Sequence, residues 1–268
     1  MLSRAHPLLQ RVRALRRDRA LRDAEGVFLT EGIHLAQEAL NAAADVELAL
    51  VSDLLRRVPE GEDLLRDLAA ARVRVEEVPP ALLDTLQDAR SPQPILLLVR
   101  RRRLGLETVL DEGRPGVPLI VIAHGVQDPG NLGGILRSAD AAGASGLLAS
   151  GSGADLYHPR TVRATMGSLF RLPSAAAPIE EILRGLAARD VPAVATDLER
   201  GVPFERHDFR GPTALILGSE GGGLGAELVA RCAASVRIPM VPGVDSLSVG
   251  AAAAVLLFEA ARQRSRGA

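Results

Sequence analysis

The stretch Gly125–Gly143 reads GVQDPGNLGGILRSADAAG and predicts more about this chain than any other segment. It begins with a polar loop that carries Asn131, and from there apolar residues recur at helical spacing to about Ala142. The predicted helix presents Arg137. An apolar run, Leu119–Ala123, precedes the loop and is typical of a buried strand. The segment is therefore expected to form a strand, a polar loop and a helix in succession.

Predicted strands and helices alternate from Leu119 to the end of the chain. This alternation predicts a parallel sheet with helices on both faces, in which ligands bind at the carboxyl ends of the strands. Two later segments also follow predicted strands: LILGSEGGGLG (Leu215–Gly225) and IPMVPGVDSLSVGAAAAVLLFEAARQR (Ile238–Arg264). All three segments are thus expected at one edge of the sheet, and the last continues into a long Ala-rich helix.

The length of 268 residues suits two domains. The first hundred residues predict a small α/β unit, with strands that include Val46–Val51 and the continuous apolar run Ile95–Val99. A polar, charged stretch that contains Gly and Pro follows. We therefore predict a first domain over residues 1–104, a linker over 105–117 and a second domain over 118–268.

Composition excludes several classes of protein. Every basic residue is Arg, and without Lys neither a P-loop ATPase nor a Schiff-base enzyme is possible. Cys232 is the single cysteine, so an intramolecular disulfide and a multi-cysteine zinc site are excluded. No His, Cys and carboxylate cluster has metal-ligand spacing, so no metal is predicted. Neither a membrane span nor a secretory signal is apparent, which favours a cytoplasmic protein.

The arginines are unevenly distributed, although the net charge is only −1. Seven fall between Arg4 and Arg22, and Arg100–Arg103 form a second block. Such clusters suit bidentate contacts with phosphates, and equally the solvated face of a helix. The chain has five Phe, one Tyr and no Trp, which disfavours the aromatic stacking platforms of single-strand RNA modules. An RNA partner would be held mainly through its backbone and shape.

The motif residues also have ordinary structural explanations. Asn131 is suited to cap the predicted helix, and Arg137 to form a surface ion pair. The glycine run Gly218–Gly223 suits a tight turn or a dehydrogenase-type dinucleotide loop, but it lacks the GxGxxG spacing. His158 precedes a proline in a predicted turn, so a structural or RNA-facing role is favoured over catalysis.

The three segments, in this order near the C-terminus, resemble the signature motifs of the SpoU/TrmH family. Members of that family are S-adenosylmethionine-dependent RNA ribose 2'-O-methyltransferases. The segment DLYHPRTVRATMGSLFRLP (Asp155–Pro173) is also similar, so the resemblance covers nearly all of Leu119–Arg264. It implies an α/β SPOUT-type domain with a trefoil knot, although sequence rules alone predict an unknotted sheet. It also implies a homodimer, and the apolar face of Ala251–Ala261 suits either such a contact or core packing.

The resemblance assigns roles to individual residues. Arg137 is implied to fix the RNA phosphate and to stabilise the developing alkoxide, because arginine is not normally deprotonated. What accepts the hydroxyl proton is left open. Glu220 is implied to brace the active site, and Ser246 to lie beside the catalytic centre. The full implied catalytic set is Asn131, Arg137, Glu220, Ser246 and Ser248, and the implied S-adenosylmethionine-binding set is Thr196, Leu217, Gly218, Ile238, Met240 and Leu247.

One position departs from the family pattern. The family usually has Ser-Leu-Asn where this chain has Ser246-Leu247-Ser248, although the neighbouring Asp245 fits. Serine keeps a donor and an acceptor but loses the reach of the amide, and it is also a good helix cap. An alternative is therefore a catalytically weak RNA-binding or ribosome-assembly protein that retains the fold. A nicotinamide-dependent dehydrogenase is a third, weaker alternative.

The N-terminal unit carries VFLTEG at Val27–Gly32, followed by an amphipathic helix. It is similar to the substrate-binding domain of the longer family members, which has the fold of ribosomal protein L30e. This two-domain layout favours ribosomal RNA over transfer RNA as the substrate.

Overall fold

The structure is a computed structural model that describes residues 4–88, 91, 93–243 and 246–265. The chain forms two compact units. The first contains the described residues up to Arg103 together with Tyr157–Phe170, and the second contains Leu104–Leu156 and the remainder from Arg171. No helix in the described ranges combines the length and the apolar character needed to cross a membrane.

The elements up to Arg103 alternate between helices and short strands. They are α1 (Pro7–Arg17), α2 (Arg19–Glu25), β1 (Val27–Glu31), α3 (Ile33–Asn41), β2 (Val46–Val51), a 3₁₀ turn (Asp53–Arg57), α4 (Gly61–Ala70), β3 (Val75–Glu77), α5 (Pro80–Asp84) and β4 (Ile95–Arg100).

The later elements follow the same alternation. They are α6 (Leu106–Asp111), β5 (Leu119–His124), α7 (Pro129–Ala141), β6 (Gly146–Ser150), α8 (Pro159–Ala164), α9 (Ser168–Arg171), β7 (Ser174–Ala176), α10 (Ile179–Ala187), β8 (Ala193–Thr196), β9 (Val202–Pro203), a 3₁₀ turn (Phe204–Arg206), β10 (Thr213–Leu217), α11 (Ala226–Ala230), β11 (Ala234–Arg237) and α12 (Val249–Ser265).

A four-stranded sheet, counted over the described residues, organises the first unit in the order β1-β4-β2-β3. The apolar run of β4 lies in the middle and pairs antiparallel with both β1 and β2. Its Leu96 and Leu98 are fully buried against Leu9, Val12 and Leu15 of α1. The N-terminal helix thus supplies a large part of the core of this unit.

The segment Tyr157–Phe170 belongs to the first unit because it packs on β1. The Phe28 ring lies 5.2 Å from the Tyr157 ring and 6.0 Å from the Phe170 ring, measured between centroids. The Arg101 guanidinium lies 4.1 Å from the Tyr157 ring centroid, a cation–π contact. Three of the six aromatic residues of this chain thus hold a distant segment to the first unit.

The second unit contains a parallel sheet, in which seven described strands follow the order β7-β6-β5-β10-β8-β11-β9. Strand β10 lies between β5 and β8, so a late segment of the chain fills the middle of the sheet. All the carboxyl ends point the same way, and they form one edge, here called the carboxyl edge. The described part of this unit is therefore a parallel α/β domain, as the sequence predicts.

Two short strands, β7 and β9, and the helices α1, α2, α5 and α6 were not predicted from the sequence. Strands β7 and β9 form the two outer edges of the sheet and have only three and two residues. Their small residues and Pro203 give no strand signal, because edge strands depend on a neighbour rather than on their own propensity. Helix α6 lies within the stretch predicted as a linker, and its Val109 is fully buried in the second unit.

The end of α12 is fixed by hydrogen bonds to backbone carbonyls. Arg264 donates to the carbonyl oxygens of Val117, Pro118, Phe209 and Gly211 at 2.7 to 3.0 Å. Burial lowers the pKa of the Arg264 guanidinium from its ordinary value. This single side chain therefore ties the last helix to the start of β5 and to the loop before β10.

We predict that Arg264→Ala lowers the free energy of unfolding by about 2 to 3 kcal/mol, because charged hydrogen bonds are lost and carbonyls are left without donors. Urea denaturation of the full chain measures the change. Arg262→Ala is the matched control, because the Arg262 side chain is 47% exposed and its ion pair with Glu259 lies within one helix, so its loss is expected to cost at most about 1 kcal/mol. Equal midpoints for Arg264→Ala and wild type would contradict the prediction.

Candidate functional site

The three motif segments converge on the carboxyl edge of the parallel sheet, as the sequence predicts. The first follows β5, the second follows β10 and the third follows β11. Strands β5 and β10 are direct neighbours, and their register pairs Ala123 with Leu217. The first two motif loops therefore start side by side.

The first turn of α7 is capped by Asp128 and not by Asn131. The Asp128 side chain accepts a hydrogen bond from the Asn131 N–H at 2.9 Å, and Pro129 occupies the first turn of the helix. The helix thus begins two residues earlier than the sequence analysis placed it. Asp followed by Pro is itself a helix-start signal, so the sequence did contain the information. The Asn131 side chain remains available for another contact.

That contact is with Glu220 of the second motif. The Asn131 side-chain amide donates to Glu220 Oε1 at 3.0 Å. The backbone N–H groups of Gln127 and Asp128 donate to Glu220 Oε2 and Oε1 at 3.1 and 3.2 Å. Partial burial acts to raise the pKa of Glu220, but these hydrogen bonds outweigh it, and the pKa is lowered from its ordinary 4.5. Glu220 is therefore an ionised brace between the two motif loops at neutral pH.

The glycine loop folds back on itself. Ser219 and Gly223 exchange backbone hydrogen bonds at 3.2 and 3.0 Å, and Gly223 has a φ of 57°. A Cβ atom added to the buried Gly218 would lie 2.4 Å from the Gly223 carbonyl carbon. Only glycine fits at this position, because the backbone itself occupies the space where a side chain would go. The tight loop carries Glu220 at its tip.

The third motif starts α12 beside α7. Ser248 accepts a hydrogen bond from the Ala251 N–H at 3.3 Å and so acts as the helix cap. A Cβ added to Gly250 would lie 3.4 Å from Asn131 Oδ1. Ser246, Leu247 and Ser248 are exposed, and Asp245 lies outside the described residues. The structure thus brings the start of α12 next to the Asn131–Glu220 pair.

Arg137 lies further along α7 and its side chain is exposed. Within the described chain it makes no hydrogen bond or ion pair. A surface ion pair among these residues therefore does not account for Arg137. Its side chain makes no hydrogen bond with Asn131 or Glu220 in the described chain. Arg137 lies six residues after Asn131, and this spacing turns their side chains to different faces of the helix. Its guanidinium is free to meet a phosphate or a developing oxyanion.

Most of the predicted cofactor residues lie at or just after the ends of β8, β10 and β11, and Leu247 precedes α12. Thr196 Oγ1 donates to the Ile216 carbonyl at 3.1 Å, Leu217 is buried, and Ile238 and Met240 are half-buried. Three large apolar side chains near these strand ends are exposed: Leu198 at 59%, Val241 at 69% and Leu247 at 40%. Exposed apolar side chains of this kind suit the flat adenine of S-adenosylmethionine.

Sequence reasoning missed Gln127. Its backbone N–H binds Glu220, and its side-chain amide donates to the carbonyls of Gly125, at 3.0 Å, and Ser152. The amide thus ties the first motif loop to the loop after β6. No sequence signal marked this residue, because the contacts run through carbonyls that any residue can supply.

Two histidines near the motif segments, His124 and His158, have structural partners. His158 Nδ1 accepts from the Arg160 N–H at 3.2 Å and caps α8, as its favoured structural role predicts. His124 Nδ1 lies 2.9 Å from Ser150 Oγ, and burial lowers the pKa of His124, so the imidazole is neutral at pH 7. No group of three or more potential metal ligands occurs among the described residues.

Two family models match most of the chain. Residues 118–258 match the model described as "SpoU rRNA Methylase family", and residues 6–97 match an "MRM3-like substrate binding domain". The first of these ranges includes all three motif segments almost completely.

Individual relatives are similar over nearly their whole length. The chain is 31% identical to the 23S rRNA (uridine(2479)-2'-O)-methyltransferase of Streptomyces viridochromogenes, over 96% of this chain and 90% of the relative. It is 33% identical to the 23S rRNA (guanosine-2'-O-)-methyltransferase of Bordetella pertussis, over 87% of this chain and 96% of the relative. The solved structure of an S-adenosylmethionine-bound rRNA methyltransferase from Sinorhizobium meliloti is similar with a TM-score of 0.86 and 33% identity, covering 98% of this chain and 97% of that one.

We predict that Glu220→Gln weakens S-adenosylmethionine binding about tenfold, because an uncharged amide cannot accept all three donors that position the loops. Isothermal titration of the full chain measures it. Glu227→Gln, an exposed change in α11, is the control and should bind as wild type does.

Since the pKa of Glu220 is lowered, the carboxylate stabilises the fold above pH 4.5. The stability difference between wild type and Glu220→Gln should disappear as the pH falls below that value. A difference that grows in acid would contradict this assignment.

Proposed function

The chain belongs to the SpoU rRNA methylase family, and we propose that its substrate is ribosomal RNA, specifically a nucleotide of 23S rRNA. The family activity is S-adenosylmethionine-dependent methylation of a ribose 2'-OH in RNA. The support for this RNA is that relatives covering most of the chain are named 23S rRNA methyltransferases. Those relatives are named for both uridine and guanosine targets. We place the reaction in the cytoplasm.

The Asn131–Glu220 pair carries the site assignment. It fixes the first motif loop to the glycine loop at the carboxyl edge, so the start of α7 has one position relative to the cofactor residues. S-adenosylmethionine supplies a methyl group already activated by its positive sulfonium. What remains for the protein is to align the ribose hydroxyl with that methyl group and to favour loss of the hydroxyl proton.

We propose that Arg137 binds the substrate phosphate and stabilises the developing alkoxide. The guanidinium is exposed and without a partner in the described chain, and its fork of donors matches a phosphate. Arginine does not accept the proton at neutral pH. Arg137 therefore acts as an electrostatic group, stronger toward the alkoxide than toward the neutral hydroxyl, which is the requirement for catalysis.

Ser246, Leu247 and Ser248 complete the proposed site from the start of α12. Ser248 takes the helix cap with its oxygen, which leaves its hydroxyl proton as a donor. The departure from the family asparagine therefore keeps one hydrogen-bond donor at this position. Neither the catalytically weak alternative nor the dehydrogenase alternative gains support from the similar proteins, which are named as methyltransferases.

We also propose that the protein is a homodimer through α12. This helix buries Leu256 and Leu257 in its own unit but exposes Phe258 at 52% and Val255 at 37%. An exposed aromatic beside an exposed valine on a long helix is typical of an interface between subunits.

We predict that Arg137→Ala lowers methyl transfer to 23S rRNA at least a hundredfold without changing S-adenosylmethionine binding. Transfer of radiolabelled methyl measures the rate, and primer extension at low nucleotide concentration locates the ribose methyl. Arg210→Ala is the matched control, because Arg210 is an exposed arginine that precedes β10 at the opposite edge of the sheet. Full activity of Arg137→Ala would remove Arg137 from the site. Absence of transfer by the wild type to both naked RNA and ribosomal subunits would remove the proposed substrate.

We predict that Phe258→Arg converts a dimer into a monomer, because a charge cannot be buried without a partner in an apolar interface. Sedimentation equilibrium should give twice 28.2 kDa for the wild type and 28.2 kDa for the variant. Leu198→Arg, which changes an exposed apolar residue in the loop after β8, should remain dimeric. A wild-type monomer would contradict the proposed interface.

A further inference from the structure

The first unit contains a cleft of about 750 Å³ that the methyl-transfer site does not use. One wall is the turn from β1 into α3, with Ile33 and His34, and the facing wall is α8 and the turn after it, with Arg160 and Met166. This volume falls in the range of small-molecule and nucleotide sites. The cleft is therefore large enough for a nucleotide.

The ionised groups inside the cleft are paired with one another. Glu31 has only 2% of its side chain exposed, and its Oε2 lies 3.3 Å from the Arg163 guanidinium. Asp88 lies 3.6 Å from the same guanidinium and donates its backbone N–H to Glu31 Oε1 at 2.7 Å. With Arg160 at the rim, the carboxylates and guanidiniums that line the cleft balance in charge. A neutral interior suits an uncharged, hydrogen-bonding group better than a bare anion or a metal ion.

Met166, which lines one wall of the cleft, has an unusual backbone conformation. Met166 has a φ of 49°, in the left-handed region that side chains with a Cβ rarely adopt. The following Gly167 has a φ of 92°, and a Cβ there would lie 2.5 Å from Glu38 Oε2. Close packing on Glu38 thus fixes the turn, which leaves Met166 38% exposed at the cleft. A left-handed residue after a helix is a common way to end it, and here it also places Met166 in the lining of the cleft.

We infer that this cleft binds one unpaired nucleotide of the RNA substrate. The base lies against the Met166 thioether and Ile33, with the His34 imidazole as a hydrogen-bonding edge, and Arg160 meets the adjoining phosphate. RNA-binding proteins read single-stranded bases by inserting them between side chains in this way. Because the chain has so few aromatics, polarisable sulfur, imidazole and guanidinium surfaces take their place. The inference rests on the proposed function, since it requires RNA as the substrate.

Photo-crosslinking tests the position directly. Full-length protein is irradiated with 23S rRNA transcripts that contain 4-thiouridine or, in a second preparation, 6-thioguanosine, and the crosslinked peptides are identified by mass spectrometry. Trypsin releases Met166 in the peptide Ala164–Arg171. We expect crosslinks to this peptide or to the one that contains His34. Crosslinks confined to other peptides with both transcripts would overturn the inference.

Matched variants test the contribution to binding. Met166→Asn keeps a residue that tolerates positive φ but removes the apolar wall, and it should raise the Kd for 23S rRNA about tenfold. Leu54→Asn is the control, because Leu54 is 40% exposed in the same unit but does not line the cleft. Arg160→Gln should also reduce the slope of the logarithm of the binding constant against the logarithm of the salt concentration by about 1, which corresponds to one lost phosphate contact. Arg66→Gln on α4 should leave this slope unchanged.

The two hypotheses fail in different ways. If wild type transfers no methyl group to any RNA, the proposed substrate fails. If methyl transfer is intact while Met166→Asn and Arg160→Gln bind 23S rRNA with the wild-type Kd and salt slope, the cleft hypothesis alone fails. S-adenosylmethionine binding should stay unchanged in both variants, because the cleft lies in the first unit.

Discussion

The arrangement of the proposed methyl-transfer site depends on one carboxylate. Glu220 accepts three hydrogen bonds from the start of α7, from residues about ninety positions earlier in the chain. These donors are two backbone N–H groups and the Asn131 amide, so the contact fixes both the path of the loop and one side chain. The tight glycine loop makes this possible, because Gly218 lets the backbone fold back and present Glu220 at its tip.

A second constraint on the position of the third motif acts at the opposite end of α12. Arg264, at the end of α12, holds four carbonyls, and Gly250, at its start, lies close to Asn131. A 17-residue helix is a stiff rod, so anchoring its far end also positions Ser246 and Ser248 near the site. Helix α12 therefore links the hydrogen bonds before β5 and β10 to the geometry of the carboxyl edge.

The arginines, whose role the sequence left open, divide into two groups. Many in the first unit are structural: Arg22 is buried and donates to the Leu15 carbonyl at 2.7 Å, while Arg11 bridges Glu25 and Glu47. Hydrogen bonding to Glu47 is the main reason that the pKa of Arg11 is raised. Arg137 differs because it is exposed and has no partner in the described chain. Only the tertiary contacts separate these roles, since every arginine has the same chemistry in the sequence.

The sequence by itself determined the alternation of strands and helices and the placement of all three motifs at strand ends. Apolar periodicity and glycine or proline breaks carry that information locally. The contacts made by Asn131 and Gln127, the edge strands and the inclusion of Tyr157–Phe170 in the first unit were decided by the tertiary structure. Each depends on a partner distant in the sequence: a carboxylate, a neighbouring strand or an aromatic ring. Local propensity cannot encode such a partner, because hydrogen bonds and packing between distant segments exist only once the chain has folded.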